Sequence, residues 1–395
     1  MTRELYALTL LATPRVGRQS AKAVLAALPE LPSSHADIRE AFCIAHSRNS
    51  RITIPSLNDI GEAEIAAQEK LLLASRHNIN LSVYGSSSYP ILLTRISDAP
   101  IVLFSKGNIT CLTAPSVAVI GTREPSDYGI RLGEKFGAAF ASLGFVVVSG
   151  LATGCDTLAH RGCLSASGVT VAVMAHGLDM VYPAENRRLA QEIIDEGGCL
   201  VSEYLPGEKP RRNYFVERDR LQSALSLGVV VIETDIKGGT MHTVGFCLDQ
   251  GKPLACLSHP PEFSDHPKAN GNKKLIKDGK ATALATREDI LFYSGLLNDA
   301  YSQKPPVSST NPSGVETPTT EDIQSTLTFT SQESDSPLVS GLTQKDNTDE
   351  PRHIVSSTRE EADSTNNSTM DGASINSKAS DKNLSSQLSL LGLEE

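Results

Sequence analysis

The segment FVVVSGLATGCDTLAH, residues 145–160, passes from a continuous apolar run into a helix-like stretch through two glycines, an Asp and a His. A short apolar run closed by glycine reads as a strand buried on both faces. Short apolar runs recur in SVAVIGT (116–122), VTVAVMAHG (169–177), CLVSE (199–203), LGVVVIETD (227–235) and PLACLS (253–258), with amphipathic stretches between them. Continuous apolar strands alternating with helices predict an α/β fold over residues 79–293. Its form is a Rossmann-like, doubly wound, mostly parallel sheet covered on both faces.

Outside that domain the pattern changes. Residues 1–75 place Leu5, Leu8 and Leu11, then Val24, Leu25 and Leu28, at helical intervals on either side of TPRVGRQS (13–20). This predicts a small helical domain. Its central turn at Gly17 resembles a helix-hairpin-helix, and an ordinary αα-hairpin fits the residues equally. Beyond Ser294 the composition collapses. Of the last 100 residues 31 are Ser or Thr, and only Tyr301 and Phe329 are aromatic. Such a segment buries too little apolar area to offset its ordering entropy, so residues 296–395 are expected to be a disordered tail.

Charge divides in the same place. The chain's net −10 lies in residues 296–395, with 16 Asp and Glu against 6 Lys and Arg, which leaves 30 of each in residues 1–295. An acidic total is therefore compatible with a local basic cleft. The seven cysteines, odd in number and without a C-x-x-C pair, read as small core residues in a reducing compartment rather than metal ligands or disulfides. No signal peptide and no membrane-length apolar run are apparent, so a cytoplasmic protein without a membrane partner is expected.

In a doubly wound sheet ligands bind where loops leave the carboxyl ends of the strands. Here those loops are Gly121-Thr122-Arg123, Ser149-Gly150 through Gly154, Ala175-His176-Gly177, Glu203, and Asp235 through Gly238-Gly239-Thr240. Three are rich in glycine and small hydroxyl residues, which let backbone N–H groups and helix N-termini approach an anion. A phosphate-binding crevice follows. GTREPSDYG does not meet the G-x-G-x-x-G dinucleotide pattern and offers a fixed arginine, which suits a phosphodiester better than a nicotinamide cofactor. No cofactor is therefore expected. Further cations come from Arg218 and Arg220 in NYFVERDRLQSALS (213–226), and from Arg187 and Arg188 in YPAENRRLA (182–190).

The ordered series GTREPSDYG, SGLATGCDTLAH, GVTVAVMAHGLDMVYPAENRRL, LVSEYLPGEKP, FVERDRLQSALS, GGTMHT and NGNKKLIKDGKA resembles the DNA-processing protein A (DprA/Smf) family. The resemblance implies a Rossmann-like domain that binds single-stranded DNA in a positive pocket, forms homodimers and helps load a RecA-type recombinase during transformation. Arg123 matches the arginine of the family's Gly-Ser-Arg motif, and Arg218 and Arg220 match its Arg-Asn-Arg motif. Asp219 replaces the usual Asn between them. Gly238-Gly239-Thr240 replaces Ser-Gly-Ser, and Ala184 stands where some members carry Lys, a loss that Arg187 or Arg188 could offset. The tail shows no sign of the winged helix that ends many members.

The wider superfamily also contains phosphoribohydrolases and nucleotide-sensing domains. In KGGTMHTVG (237–245) the glycines are present, but the hydrolases' following Glu is not. Glu203 and Glu233 at strand ends could act as acid or base or as caps and arginine partners. His160 and His176 read as hydrogen-bonded loop residues. A binding protein is expected, not an enzyme, with a nucleotide sensor or nucleotide-processing enzyme as the alternative. Finally, Gln387-Leu388-Ser389-Leu390-Leu391 resembles the short peptide by which bacterial proteins dock on the replication sliding clamp, with Leu391 in place of the usual Phe.

Overall fold

The structure is a computed structural model and describes residues 1–302. Four helices come first: α1 (Arg3–Ala12), α2 (Arg18–Leu25), α3 (His35–Arg48) and α4 (Leu57–Arg76). Their starts are set locally. Ser34 and Ser56 each accept from the backbone N–H three residues on, while Asp37 and Asp59 return the bond to the cap's own N–H. These reciprocal caps satisfy donors that have no partner inside the helix. The α1–α2 turn takes its one left-handed residue at Arg15, φ 63°, whereas Gly17 is extended and precedes α2. The turn thus places its left-handed bend two residues before the expected glycine.

The sheet has nine strands: β1 (Asn80–Val83), β2 (Val102–Gly107), β3 (Ser116–Ile120), β4 (Val146–Ser149), β5 (Thr170–Met174), β6 (Cys199–Ser202), β7 (Val229–Val231), β8 (Leu254–Leu257) and β9 (Thr282–Leu284). Their spatial order is β1-β2-β6-β5-β4-β3-β7-β8-β9. Strands β3 to β9 run parallel, and β2 pairs antiparallel with both β6 and β1. The expected mostly parallel, doubly wound sheet is what the chain forms. The antiparallel strap β1–β2 was not foreseen, because NLSV and VLFSKG are too short and mixed to stand out.

Seven helices clothe the sheet: α5 (Asp127–Ser142), α6 (Cys155–Ser165), α7 (Arg187–Asp195), α8 (Arg212–Ala224), α9 (Thr240–Asp249), α10 (Asn270–Lys277) and α11 (Arg287–Ser302). Strand side chains alternate between faces. Val117, Val119 and Val147 therefore pack with Phe136, Phe140 and Tyr293 of α5 and α11, while Val146, Val148 and Val173 meet Leu221 and Ala224 of α8. Helices α5 and α6 approach at backbone distance: a Cβ on Gly162 would stand 1.9 Å from the Glu134 carbonyl oxygen, and one on Gly137 2.2 Å from that of Ala159.

Two boundaries differ from expectation. Helix α11 runs past residue 293 to Ser302, with Leu297 fully buried and the Tyr293 hydroxyl donating to the Val229 and Pro253 carbonyls at 3.0 and 2.9 Å. The N-terminal helices also have no separate core. Tyr6, Leu10, Phe42 and Ile60 share one cluster with Val102 and Phe104 of β2, Met174 of β5 and Ile193 of α7. Residues 303–395 lie outside the described residues.

Candidate nucleic-acid interface

The strand order reverses at β3: β4, β5 and β6 follow on one side, β7, β8 and β9 on the other. Loops leaving β3 and β7 therefore diverge and open a crevice between them. A cavity of about 570 Å³ occupies that place. Gly121, Thr122, Arg123, Arg218, Gly238, Gly239 and Thr240, all expected at the site, line it.

The β3 loop is tied both to the end of β7 and to the loop after β4. Thr122 N–H donates to the Glu233 carbonyl at 2.8 Å, and Cys155 N–H donates to the Thr122 carbonyl at 3.0 Å. This contact requires Gly154, whose φ is 80° and whose Cβ would lie 2.5 Å from the carbonyl oxygens of both Thr122 and Arg123. The β7 loop is pinned by Asn272 of α10, which is fully buried. Its Oδ1 accepts from Thr234 N–H at 3.1 Å, and its Nδ2 donates to the carbonyls of Ile232 and Leu257 at 2.9 and 3.0 Å. Gly239 then precedes α9 with no side-chain cap and open space where a Cβ would be, so the N-terminus of α9 faces the crevice. Such a terminus favours an anion.

Ser149 and Gly150 lie beneath the site instead of in it. The Ser149 hydroxyl is buried and donates to the Val119 carbonyl at 2.7 Å. A Cβ on Gly150 would fall 2.3 Å from Asp156 Oδ2 and 2.6 Å from Arg218 Nη1. The missing side chain makes room for this buried charge cluster. Arg218 donates through Nε to Asp219 at 3.1 Å and through Nη1 to the Val173 carbonyl, and it is 6% exposed. It forms the floor, whereas the exposed Arg123 lies at the mouth with its guanidinium 5.4 Å from the Phe215 ring centroid.

Two expected arginines are placed elsewhere. Residues two apart on a helix point about 200° apart, so Arg218 and Arg220 cannot share a face. Arg220 turns away from the crevice, where Nη1 and Nη2 each reach a Glu203 carboxylate oxygen at 2.8 Å and Nε reaches Asp98 at 2.6 Å. Arg18 of α2 completes the group by pairing with Glu203 and Glu217. Arg220 is thus a structural link between α8 and the rest of the molecule. Arg187 is exposed at the start of α7 and does not line the cavity, and Arg188 pairs with Glu192.

The side chains that sequence reasoning missed are Arg212, Phe215 and Gln222 on α8, His242 on α9 and Lys268. Arg212, Phe215, Arg218 or Asp219, and Gln222 follow helical spacing, so a wheel drawn on NYFVERDRLQSALS and one turn before it would have shown the stripe. Charge in the lining is balanced. Arg123, Arg212, Arg218 and Lys268 face Glu124, Asp156, Asp219 and Asp235. Burial pushes Asp219 up to about 6 against the opposing pull of Arg218, and burial also raises Asp156 despite the same neighbour. Burial therefore disfavours the charged form of two of the four acids.

The candidate acid–base residues are held away from the cavity. Glu233 is fully buried, accepting from Ser126 N–H at 2.7 Å, from the Ser126 hydroxyl at 2.5 Å and pairing with His259 at 2.9 Å, while Glu203 holds Arg220. His160 bridges Thr170 Oγ1 and the Gly150 carbonyl at 2.7 and 2.6 Å, and burial lowers it to about 4. His176 meets the Gly177 carbonyl at 2.8 Å and the Tyr182 N–H at 3.2 Å. No described helix is long and apolar enough to cross a membrane.

Residues 80–294 match the family model described as DNA recombination-mediator protein A. The chain belongs to the DNA-processing protein A (DprA/Smf) family. Protein Smf of Synechocystis sp. is 36% identical over 223 residues, covering 55% of this chain and 55% of that protein. DNA processing protein DprA of Bacillus subtilis is 37% identical over 223 residues, covering 56% of this chain and 73% of that protein. The crystal structure of DNA processing protein A from Streptococcus pneumoniae superposes with a TM-score of 0.61 at 30% identity, covering 74% of this chain and 98% of the other. The match spans less than two thirds of the length of the Smf proteins of Synechocystis and Escherichia coli, at 55% and 59%.

Proposed function

We propose that the crevice binds single-stranded DNA through its backbone, without reading sequence. The observation that carries this reading is the pairing at the mouth of accessible cations, Arg123 and Arg212, with a half-buried aromatic ring, Phe215, above the N-terminus of α9. Cations track phosphates and an aromatic face accepts any base, which is the combination that sequence-tolerant single-strand binding uses. The family motifs at Arg123 and Arg218 support the same reading. Labelled oligo-dT should bind more tightly than matched duplex, and affinity should fall as salt rises. Equal or tighter duplex binding, or a flat salt response, would overturn it.

A nucleotide-processing activity is the second reading, favoured by two carboxyls with raised pKa at the cavity floor, Asp156 and Asp219. Release of free base from a nucleoside monophosphate would establish it in place of strand binding.

We infer from family membership that the protein acts as a homodimer in the cytoplasm and delivers single strands to a RecA-type recombinase. A second partner rests on Gln387, Leu388, Leu390 and Leu391, which lie outside the described residues. A Gln anchor followed by adjacent apolar side chains has the chemistry of a short peptide filling a hydrophobic pocket on the sliding clamp. A peptide of residues 384–395 should bind purified clamp weakly, and Leu390→Ala with Leu391→Ala should abolish binding. Failure of the intact peptide to bind at high micromolar concentration would remove this partner.

A further inference from the structure

Strand β2 ends at Gly107, which lies opposite Cys199 in the antiparallel pairing with β6. The chain then folds back in a single 3₁₀ turn, Ile109–Thr113. Asn108 shapes that turn: its N–H donates to the Gly198 carbonyl at 2.9 Å and its Oδ1 accepts from Thr110 N–H at 3.1 Å. Leu112 seats the turn in the same apolar cluster as Cys199. The result brings Cys111 Sγ to 3.8 Å from Cys199 Sγ, across 88 residues of sequence. Cys199 is fully buried, whereas Cys111 is half-buried and open to a small oxidant.

We propose that Cys111 and Cys199 form a peroxide-sensitive dithiol that closes to a disulfide in the folded protein. A disulfide needs the sulfurs about 2 Å apart, so closure requires a further approach of about 2 Å, within reach of side-chain rotation in a short turn. The Cys111 sulfur attacks one oxygen of hydrogen peroxide, the O–O bond breaks, and the thiol proton leaves with the departing hydroxide as water. Cys111 is then a sulfenic acid. The Cys199 sulfur attacks Cys111 Sγ, the S–O bond breaks, and the Cys199 proton leaves with that oxygen as a second water. Two thiols lose two electrons in total and one peroxide gains them.

The hydrogen bond from Cys199 favours the Cys111 thiolate and holds Cys111 below the usual thiol range, while the same bond and burial raise Cys199. Cys111 is thus the attacking sulfur and Cys199 the resolving one. Burial pushes Cys163 and Cys247 up to about 12 and raises Cys155 and Cys256 as well, which keeps those four slow to react.

The test is brief exposure of the folded full chain to hydrogen peroxide, alkylation of remaining thiols, tryptic digestion and mass spectrometry. The expected result is a linked pair of peptides, one beginning at Gly107 and the other at Leu189, that separates on reduction with dithiothreitol. Cys111→Ser, at a half-buried position, should remain folded and show no link to Cys199. Oxidation of Cys111 to sulfinic acid with Cys199 still alkylatable after unfolding would overturn the proposal. Appearance of the link only in chains unfolded before exposure would overturn it too.

Discussion

Arg123→Ala is expected to weaken oligo-dT binding by about tenfold, the worth of one charge-assisted phosphate contact of roughly 1.5 kcal/mol. The salt dependence should flatten by about 0.7 in slope, the share of one phosphate on a single strand. Melting temperature should hardly move, because Arg123 is exposed and its pull on the buried Asp156 carboxyl is the weakest of those acting on that group. Arg220→Ala should do the reverse. It strands Glu203, buried with a side chain 3% exposed, and costs roughly 3–5 kcal/mol of stability, while the molecules that remain folded keep their affinity. Calorimetry and fluorescence anisotropy on the two variants separate these outcomes. A normally binding Arg123→Ala would take that residue out of the site. A weakly binding but fully stable Arg220→Ala would place Arg220 in the site after all.

Asp219 supplies the second large effect. Its ordinary value is 3.8 and burial raises it to about 6, so the fold disfavours the carboxylate. Between those values the folded chain binds more protons than the unfolded one. Stability therefore rises as pH falls from about 6 toward 4, and is lost as pH rises through that window. Arg218, Asp156 and His242 surround the carboxyl. A bound phosphate adds one more negative charge, and removing the charge of Asp219 is worth roughly 1 kcal/mol to it, or about fivefold. Oligonucleotide affinity should accordingly rise between pH 7.5 and 5.5. Asp219→Asn should bind about fivefold more tightly at pH 7.5 and lose most of that pH response. An unchanged pH profile in the variant would assign the response to another group.

The sheet and its ligand edge were legible because β3 to β8 each lie in a short continuous apolar run, two of them closed by glycine as in VAVIG and VVVSG. The strap β1–β2 and strand β9 were not, since NLSV, VLFSKG and TAL mix polar with apolar residues. Loop convergence accounts for Arg123, Gly121 and the Gly238–Thr240 turn lining one cavity. Arg220 lies elsewhere for a reason already present in the sequence: the motif sets Arg218 and Arg220 two residues apart on one helix, which sends their side chains to different faces. The balanced charge of the lining was hidden because Asp156 reads as part of a glycine turn and Glu124 as part of a loop. Only packing shows that they face the same cavity as the arginines.

The sheet closes with a four-residue strand at one margin and a three-residue strand at the other. Proteins that gather along one polymer sit at very high local concentration, where bare strand margins invite neighbouring copies to zip together. Short margins deny such copies a template of useful length. Copies crowded together for any reason therefore find little sheet margin through which to aggregate.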